Sequence, residues 1–153
     1  MTELDIHPLA ENDLDALLAL YAELNPGDAP LPVREEVEAV WRSIRDDKKL
    51  RILGGYLGKT LVCTCILAVI PNLTRGARPY ALIENVVTTA NQRGNGYARS
   101  LLNHACDMAW QLGCYKVMLM TGRKDEKTLS FYEAAGFDRD AKQAFYVPAP
   151  SAP

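Results

Sequence analysis

Tyr80-Ala81-Leu82-Ile83-Glu84-Asn85-Val86-Val87-Thr88, with Gln92-Arg93-Gly94-Asn95-Gly96-Tyr97-Ala98 three residues further on, is the stretch on which the fold turns. Apart from Glu84 and Asn85, the first nine residues are aliphatic, aromatic or β-branched, and they read as a strand. From 97 to 112, Ala98, Leu101, Leu102, Ala105, Met108, Ala109 and Leu112 recur on one side of a helix that Gly113 ends. A strand that passes through a glycine-rich turn into a helix has a physical meaning. The amides of the turn and of the first helical turn point outward together, a cradle for phosphate or pyrophosphate. Glycine lets a ligand approach the backbone closely, and Arg93 can add a charge-assisted contact. Alone, the pattern also suits a plain tight connection. It lacks the Gly-Lys-Ser/Thr ending of a nucleotide loop. It is a poor dinucleotide fingerprint too, because position 99 is Arg99 and the next strand opens on Tyr115-Lys116.

Outward toward the C-terminus, residues 115–120 read as a strand and Asp125 to Ala135 as a helix closed by Gly136. A last strand is expected over 143–147, and a flexible tail over 148–153. Toward the N-terminus, residues 50–57 and 60–70 form an antiparallel hairpin about Leu57-Gly58-Lys59. Before it come a strand over 3–7 and a helix over 12–24 with Asn12 or Asp13 as its cap. A proline-rich loop over 25–32 follows, then a helix from Val33 to about Arg45 with Val37, Val40, Trp41 and Ile44 as its apolar stripe. The order β, α, α, β, β, β, α, β, α, β is a mixed α+β arrangement without repeats, and residues 1–147 read as one domain.

Composition narrows the function. A chain of 153 residues that is 48% hydrophobic and 24% charged can bury a full core. Its net charge of -2 gives no basic surface for nucleic acid. The start, MTELDIHPL, has no signal-peptide character, and the apolar run near 61–70 is too short to span a bilayer; a cytoplasmic protein is expected. Four cysteines and two histidines make neither a disulfide framework nor a good zinc set. Cys63 and Cys65 share one side of a strand, and His7 and His104 read as structural or surface residues.

The turn Arg93-Gly94-Asn95-Gly96-Tyr97-Ala98 resembles the Arg/Gln-x-x-Gly-x-Gly/Ala signature of the GCN5-related N-acetyltransferase superfamily. Glu84-Asn85-Val86-Val87-Thr88 matches the strand before it. Phe131-Tyr132-Glu133-Ala134-Ala135-Gly136-Phe137 is similar to the family's last-helix pattern. The resemblance is strongest from about 80 to 137. It implies a mainly antiparallel central sheet flanked by helices, with one splayed parallel strand pair. It implies acetyl-coenzyme A as acyl donor and an amine as acceptor. The pyrophosphate would rest on Arg93, Gly94, Asn95, Gly96, Tyr97 and Ala98, with Arg99 helping. The pantetheine arm would pair with backbone groups of Val86, Val87 and Thr88, where the strand splays from its neighbour over 115–120. Homodimers are common among such proteins, and in this chain an edge strand near 143–147 is the expected element to pair or swap.

The resemblance also assigns the chemistry. Tyr132 matches a tyrosine near the thioester sulfur, where a phenol can donate a proton to the departing thiolate. Glu84 is the candidate base for the incoming amine. Asn85 faces the other way and would hold a strand bulge or a ligand. A backbone amide near Val87 would stabilise the oxyanion. Asp125 stands where the family often has a cofactor-contacting asparagine; its carboxylate is also suited to cap the last helix, across from Lys124 or Thr128. Neither Cys106 nor Cys114 has a nucleophile's context, so direct attack in a ternary complex is expected. Tyr21, Trp41, Arg78 and Tyr80 are candidates to line the acceptor pocket. Arg75 and Arg78 would suit an acidic acceptor, and Glu23, Asp28 or Glu84 a basic one. A small amine is the favoured acceptor. The alternatives are a protein or peptide acceptor, or a non-catalytic acyl-coenzyme A sensing module.

Overall fold

Gly58, at φ 60°, closes a hairpin in which β2 (Leu50–Leu57) pairs antiparallel with β3 (Thr60–Ile70). The sheet grows outward from it. On one side β2 takes β1 (Asp5–Pro8); on the other β3 takes β4 (Tyr80–Thr88). The fifth strand, β5 (Val117–Leu119), joins β4 in parallel, giving the order β1-β2-β3-β4-β5. This mixed α+β sheet, antiparallel but for its last pair, is the expected architecture. The computed structural model describes residues 3–151 and divides after Leu119 into two units, Met1–Leu119 and Met120–Pro153.

In the first unit, helices cover both faces of the sheet. A 3₁₀ turn over Glu11–Asp13 leads into α1 (Leu14–Leu24), followed by α2 (Arg34–Asp46). Leu14, Leu17 and Leu20 of α1 and Trp41 of α2 pack with Ile52, Tyr56, Leu61 and Val87 of the sheet. Side chains alternate along each strand, so Leu53, Cys63, Cys65, Leu67 and Ile83 face the other way. That face is covered by α4 (Tyr97–Gln111) through Leu101, Leu102, Ala105 and Ala109. Between β3 and β4 lies a single turn, α3 (Thr74–Ala77). The predicted stripe of α2 needs one correction. Val40 is 59% exposed, because a helix turning 100° per residue carries position 40 off the face that Val37, Trp41 and Ile44 share.

Polar groups fix the entry to α1. Asp13 Oδ2 accepts from the Ala10 amide at 2.7 Å and from the Tyr56 hydroxyl at 2.8 Å. Trp41 donates its indole N–H to the Glu11 carbonyl at 3.1 Å. Trp41 is therefore core, at 5% exposure, and is withdrawn from the expected acceptor pocket.

The second unit carries α5 (Glu126–Ala134). The Asp125 carboxylate accepts from the Thr128 amide at 3.0 Å, the expected N-cap, and Gly136 at φ 97° follows the helix end. Arg139 folds back to pair with Glu126 at 2.9 Å and Glu133 at 2.6 Å. The strand expected over 143–147 is not formed. Phe145, Tyr146 and Val147 are 93%, 89% and 88% exposed and pair with no strand among the described residues. Aromatic and β-branched side chains alone do not make a strand: its amides and carbonyls need a ladder partner. Of the expected tail, residues 148–151 are exposed and without regular structure, and 152–153 lie outside the described residues.

Candidate active site

The parallel pairing of β4 with β5 runs only over Ala81–Val117, Leu82–Met118 and Ile83–Leu119. Beyond Ile83, the outer edge of β4 has no strand partner within this sheet. On its inner edge, Glu84 stands opposite Ile66 and Val87 opposite Thr64, so Asn85 and Val86 together face Cys65. That is a β-bulge. Asn85 sits at φ 52°, a left-handed conformation that asparagine tolerates better than most residues with a Cβ. The bulge thus lies where the parallel pair parts, and Asn85 holds it as the sequence suggested.

Past the bulge the ladder decides which groups are free. Thr89 donates its amide to the Val62 carbonyl at 2.9 Å, and Thr88 stands opposite Cys63. In an antiparallel pair, bonded and non-bonded positions alternate. Val87 is therefore directed toward β3 through its amide and carbonyl, and Thr88 toward the open edge. The Thr88 carbonyl on that edge accepts from Arg93 Nε at 3.0 Å.

The turn that follows is braced from α1. Glu23 accepts from the Thr89 hydroxyl at 2.7 Å and the Ala90 amide at 2.8 Å, with Arg93 Nη2 at 3.8 Å. The Thr89 and Ala90 bonds, outweighing slight desolvation and joined by Arg93, hold its carboxyl below the usual range. The clamp commits Glu23, a candidate partner for a basic acceptor, to bracing the turn. The one readable hint was Thr89 before a short 3₁₀ turn, whose amides call for an acceptor.

Gly94 and Gly96 adopt φ 82° and 81°, and a Cβ at either would point into open space. Gly96 caps α4 without any side-chain bond to its first amides, and no acidic residue occupies that first turn. Tyr97 and Ala98 are half-buried there, whereas Asn95 and Arg99 are exposed. An open turn leading to an uncapped helix N-terminus fits a pyrophosphate. Arg93 is spent on Thr88 and Glu23, which leaves the backbone amides to do the holding.

Two buried polar atoms beside this strand lack hydrogen-bond partners, Thr88 Oγ1 and Tyr21 Oη. Such orphans are uncommon in folded proteins and call for an explanation. Burial raises the Tyr21 pKa. The Asn85 side chain draws it partway back, although the two groups stop short of full hydrogen-bond geometry. Glu84 is half-buried and, by pairing with Ile66, faces the α1 side of the sheet. In the second unit, Tyr132 packs edge-on against Phe131 and Phe137, with centroids 5.0 and 6.4 Å away. Asp125 is committed to its cap.

All four cysteines are free. Burial pushes Cys63 up to about 11 and Cys65 to about 12, and raises Cys106 and Cys114 as well. Thiols kept protonated are weak nucleophiles, so no acyl-carrying cysteine stands out. Among the described residues no group of histidine, cysteine and carboxylate side chains could hold a metal. No helix there is long and apolar enough to cross a membrane.

Known proteins share this arrangement. Residues 14–137 match the model of the Acetyltransferase (GNAT) family. A glucosamine 6-phosphate N-acetyltransferase of Trypanosoma brucei brucei is 30% identical over 143 residues, 94% of this chain and 95% of that protein. Among solved structures, a candidate acetyltransferase from Agrobacterium tumefaciens str. C58 is 41% identical with a TM-score of 0.89, covering 95% of this chain and 99% of that one. An acetyltransferase of Trypanosoma brucei is 30% identical with a TM-score of 0.80, covering 95% and 100%.

Proposed function

This chain belongs to the GNAT acetyltransferase family and is an acetyl-coenzyme A-dependent transferase, and we propose that it transfers the acetyl group directly to the primary amine of a small molecule within one ternary complex. The observation that carries the reading is the outer edge of β4. It opens after Ile83, kinks at Asn85 and leads into an uncapped glycine turn. Val86 and Thr88 would pair with the pantetheine arm there, while amides from Gly94 to Arg99 hold the pyrophosphate. When bound, acetyl-coenzyme A supplies an activated acyl group and a thiolate that can leave.

Glu84 takes the proton of the amine, directly or through water. Tyr132 gives a proton to the departing sulfur. A backbone amide in the stretch Val86–Thr88 stabilises the charge that grows on the acetyl oxygen. With the thiols suppressed, attack without an acyl-enzyme is the simpler route.

The family match runs across Leu119, which supports reading residues 1–147 as one functional domain. Four free cysteines favour a reducing compartment such as the cytoplasm. A homodimer remains part of the proposal. With no ladder partner for 143–147 among the described residues, a partner copy would have to supply that edge.

The Trypanosoma relative is named for an amino sugar phosphate, which supports the small-molecule choice over a peptide. The test is thiol release from acetyl-coenzyme A with amines, amino sugars, their phosphates and basic peptides. Amine-dependent release with small acceptors is expected. Release with peptides alone would overturn the acceptor class, and binding without any release would favour a sensing module.

A further inference from the structure

At the start of β4, away from the glycine turn, Tyr80 and Tyr115 meet edge to face with centroids 6.2 Å apart. Lys116 Nζ lies 4.9 Å from the Tyr80 ring centre and 5.3 Å from that of Tyr115. The Arg75 guanidinium lies 6.0 Å over Tyr115. The rings thus orient two cations without neutralising either. Among the described residues, neither Arg75 nor Lys116 pairs with a carboxylate. Burial pushes the Tyr115 phenol up, but Lys116, Thr74 and Arg75 outweigh it and bring it below its ordinary pKa.

Arg75 is presented by a strained turn. It and Ala77 adopt φ 56° and 59° on either side of Gly76, a conformation that costs residues with a Cβ. Asn72 Nδ2 braces the turn by donating to Thr74 Oγ1 at 2.8 Å, the Thr74 carbonyl at 3.1 Å and the Arg78 carbonyl at 3.2 Å. Arg78 donates to the Gly113 and Cys114 carbonyls, both at 3.3 Å. Arg78 is thus used in bracing, while Arg75 has no such bond among the described residues.

Register connects this cluster to Glu84. Tyr80, Leu82 and Glu84 share one face of β4 by alternation, and Ala81 opposite Val117 puts Lys116 beside Tyr80 on that face. Four strand steps separate Tyr80 from Glu84, about 13 Å. The gap suits a skeleton the size of one sugar ring.

We infer that the acceptor carries an anion, held by Arg75 and Lys116, while its amine faces Glu84. The inference rests on the amine-acceptor reading above. Two cations suit a phosphate monoester better than a carboxylate, since a dianion uses both.

The experiment compares three amino sugars that differ in one group: neutral, carboxylate and phosphate monoester. For each, kcat/KM is read from thiol release, and binding by calorimetry. The phosphate form should be preferred, with the preference shrinking as salt rises. In Arg75→Asn, which keeps a residue suited to the left-handed turn, and in Lys116→Gln, the ratio of phosphate to neutral kcat/KM should fall roughly 10- to 100-fold. Arg75→Lys should recover part of it. Preference for the carboxylate would assign the pair to that anion instead of phosphate. Acetylation of all three acceptors at equal kcat/KM, or an unchanged ratio in both variants, would overturn the inference and leave the transferase standing. Phosphate-dependent binding that Arg75→Asn abolishes, without thiol release by any protein, would uphold the anion site and remove the proposed reaction.

Discussion

The two ends of β4 work with different materials. At its C-terminal end the chain offers backbone: a bulge at Asn85, an open edge at Thr88, two left-handed glycines and an uncapped helix. At its N-terminal end it offers side chains: two tyrosines, Lys116 and Arg75 on a braced turn. Backbone amides serve any pyrophosphate equally, so the first end fits a donor that many proteins share. Side-chain charges are exchanged by single substitutions, so the second end suits the part of the reaction that differs between relatives. Glu84 stands between them on the same strand.

The sharpest way to break this division is Glu84→Gln. If Glu84 is the base, kcat should fall about 100-fold or more, and the deficit should narrow as pH rises and the amine arrives deprotonated. An equal rate across a full pH profile would take the base away. Gly96→Val comes next. A β-branched residue at φ 81° is strained, and its side chain would stand in the open space proposed for the pyrophosphate. Affinity for acetyl-coenzyme A, by calorimetry, should fall about 10- to 100-fold, with acceptor preference unchanged. A shift in acceptor preference would show that the two ends are not separable.

Smaller effects sharpen the picture. Asn85→Val should lower unfolding stability by about 1–2 kcal/mol in denaturant titration, whereas Asn85→Gly should restore it. Equal stability in both would mean that the left-handed conformation is not what asparagine supplies. The smallest effect concerns Glu23. Its pKa is depressed in the folded state, so its stabilising contribution is present above the ordinary carboxylate value. That contribution is lost as pH falls through the depressed value. The melting temperature of Glu23→Gln should trail the parent by less than about 4 °C at neutral pH, and the gap should close in acid.

Most of the fold could be read because its elements bury one face each. The stripe Leu101, Leu102, Ala105 and Ala109, the hairpin about Gly58 and the Asp125 cap are local patterns with local causes. What could not be read was set by distant partners. The predicted strand over 115–120 shrinks to Val117–Leu119, and its pairing stops at Leu119, just before β4 bulges more than thirty residues earlier in the chain. Residues 143–147 carry strand-forming Phe145, Tyr146 and Val147 but have no ladder to join among the described residues. In the site, the glycine turn and Glu84 carry recognisable spacing. The Glu23 clamp and the contact of Arg75 with the Tyr115 ring carry none, since each joins segments far apart in the chain.

That clamp also governs the order of assembly. The bonds from Thr89 and Ala90 to Glu23 close loops of 66 and 67 residues. Closures of that length carry a high entropic cost and are favoured only once the intervening strands have paired. During synthesis, which proceeds from the N-terminus, α1 emerges early and waits while β2, β3 and β4 are made. The cradle is then among the last parts of its unit to be completed. A nascent chain cut short before Thr89 would carry α1 but leave Glu23 facing water.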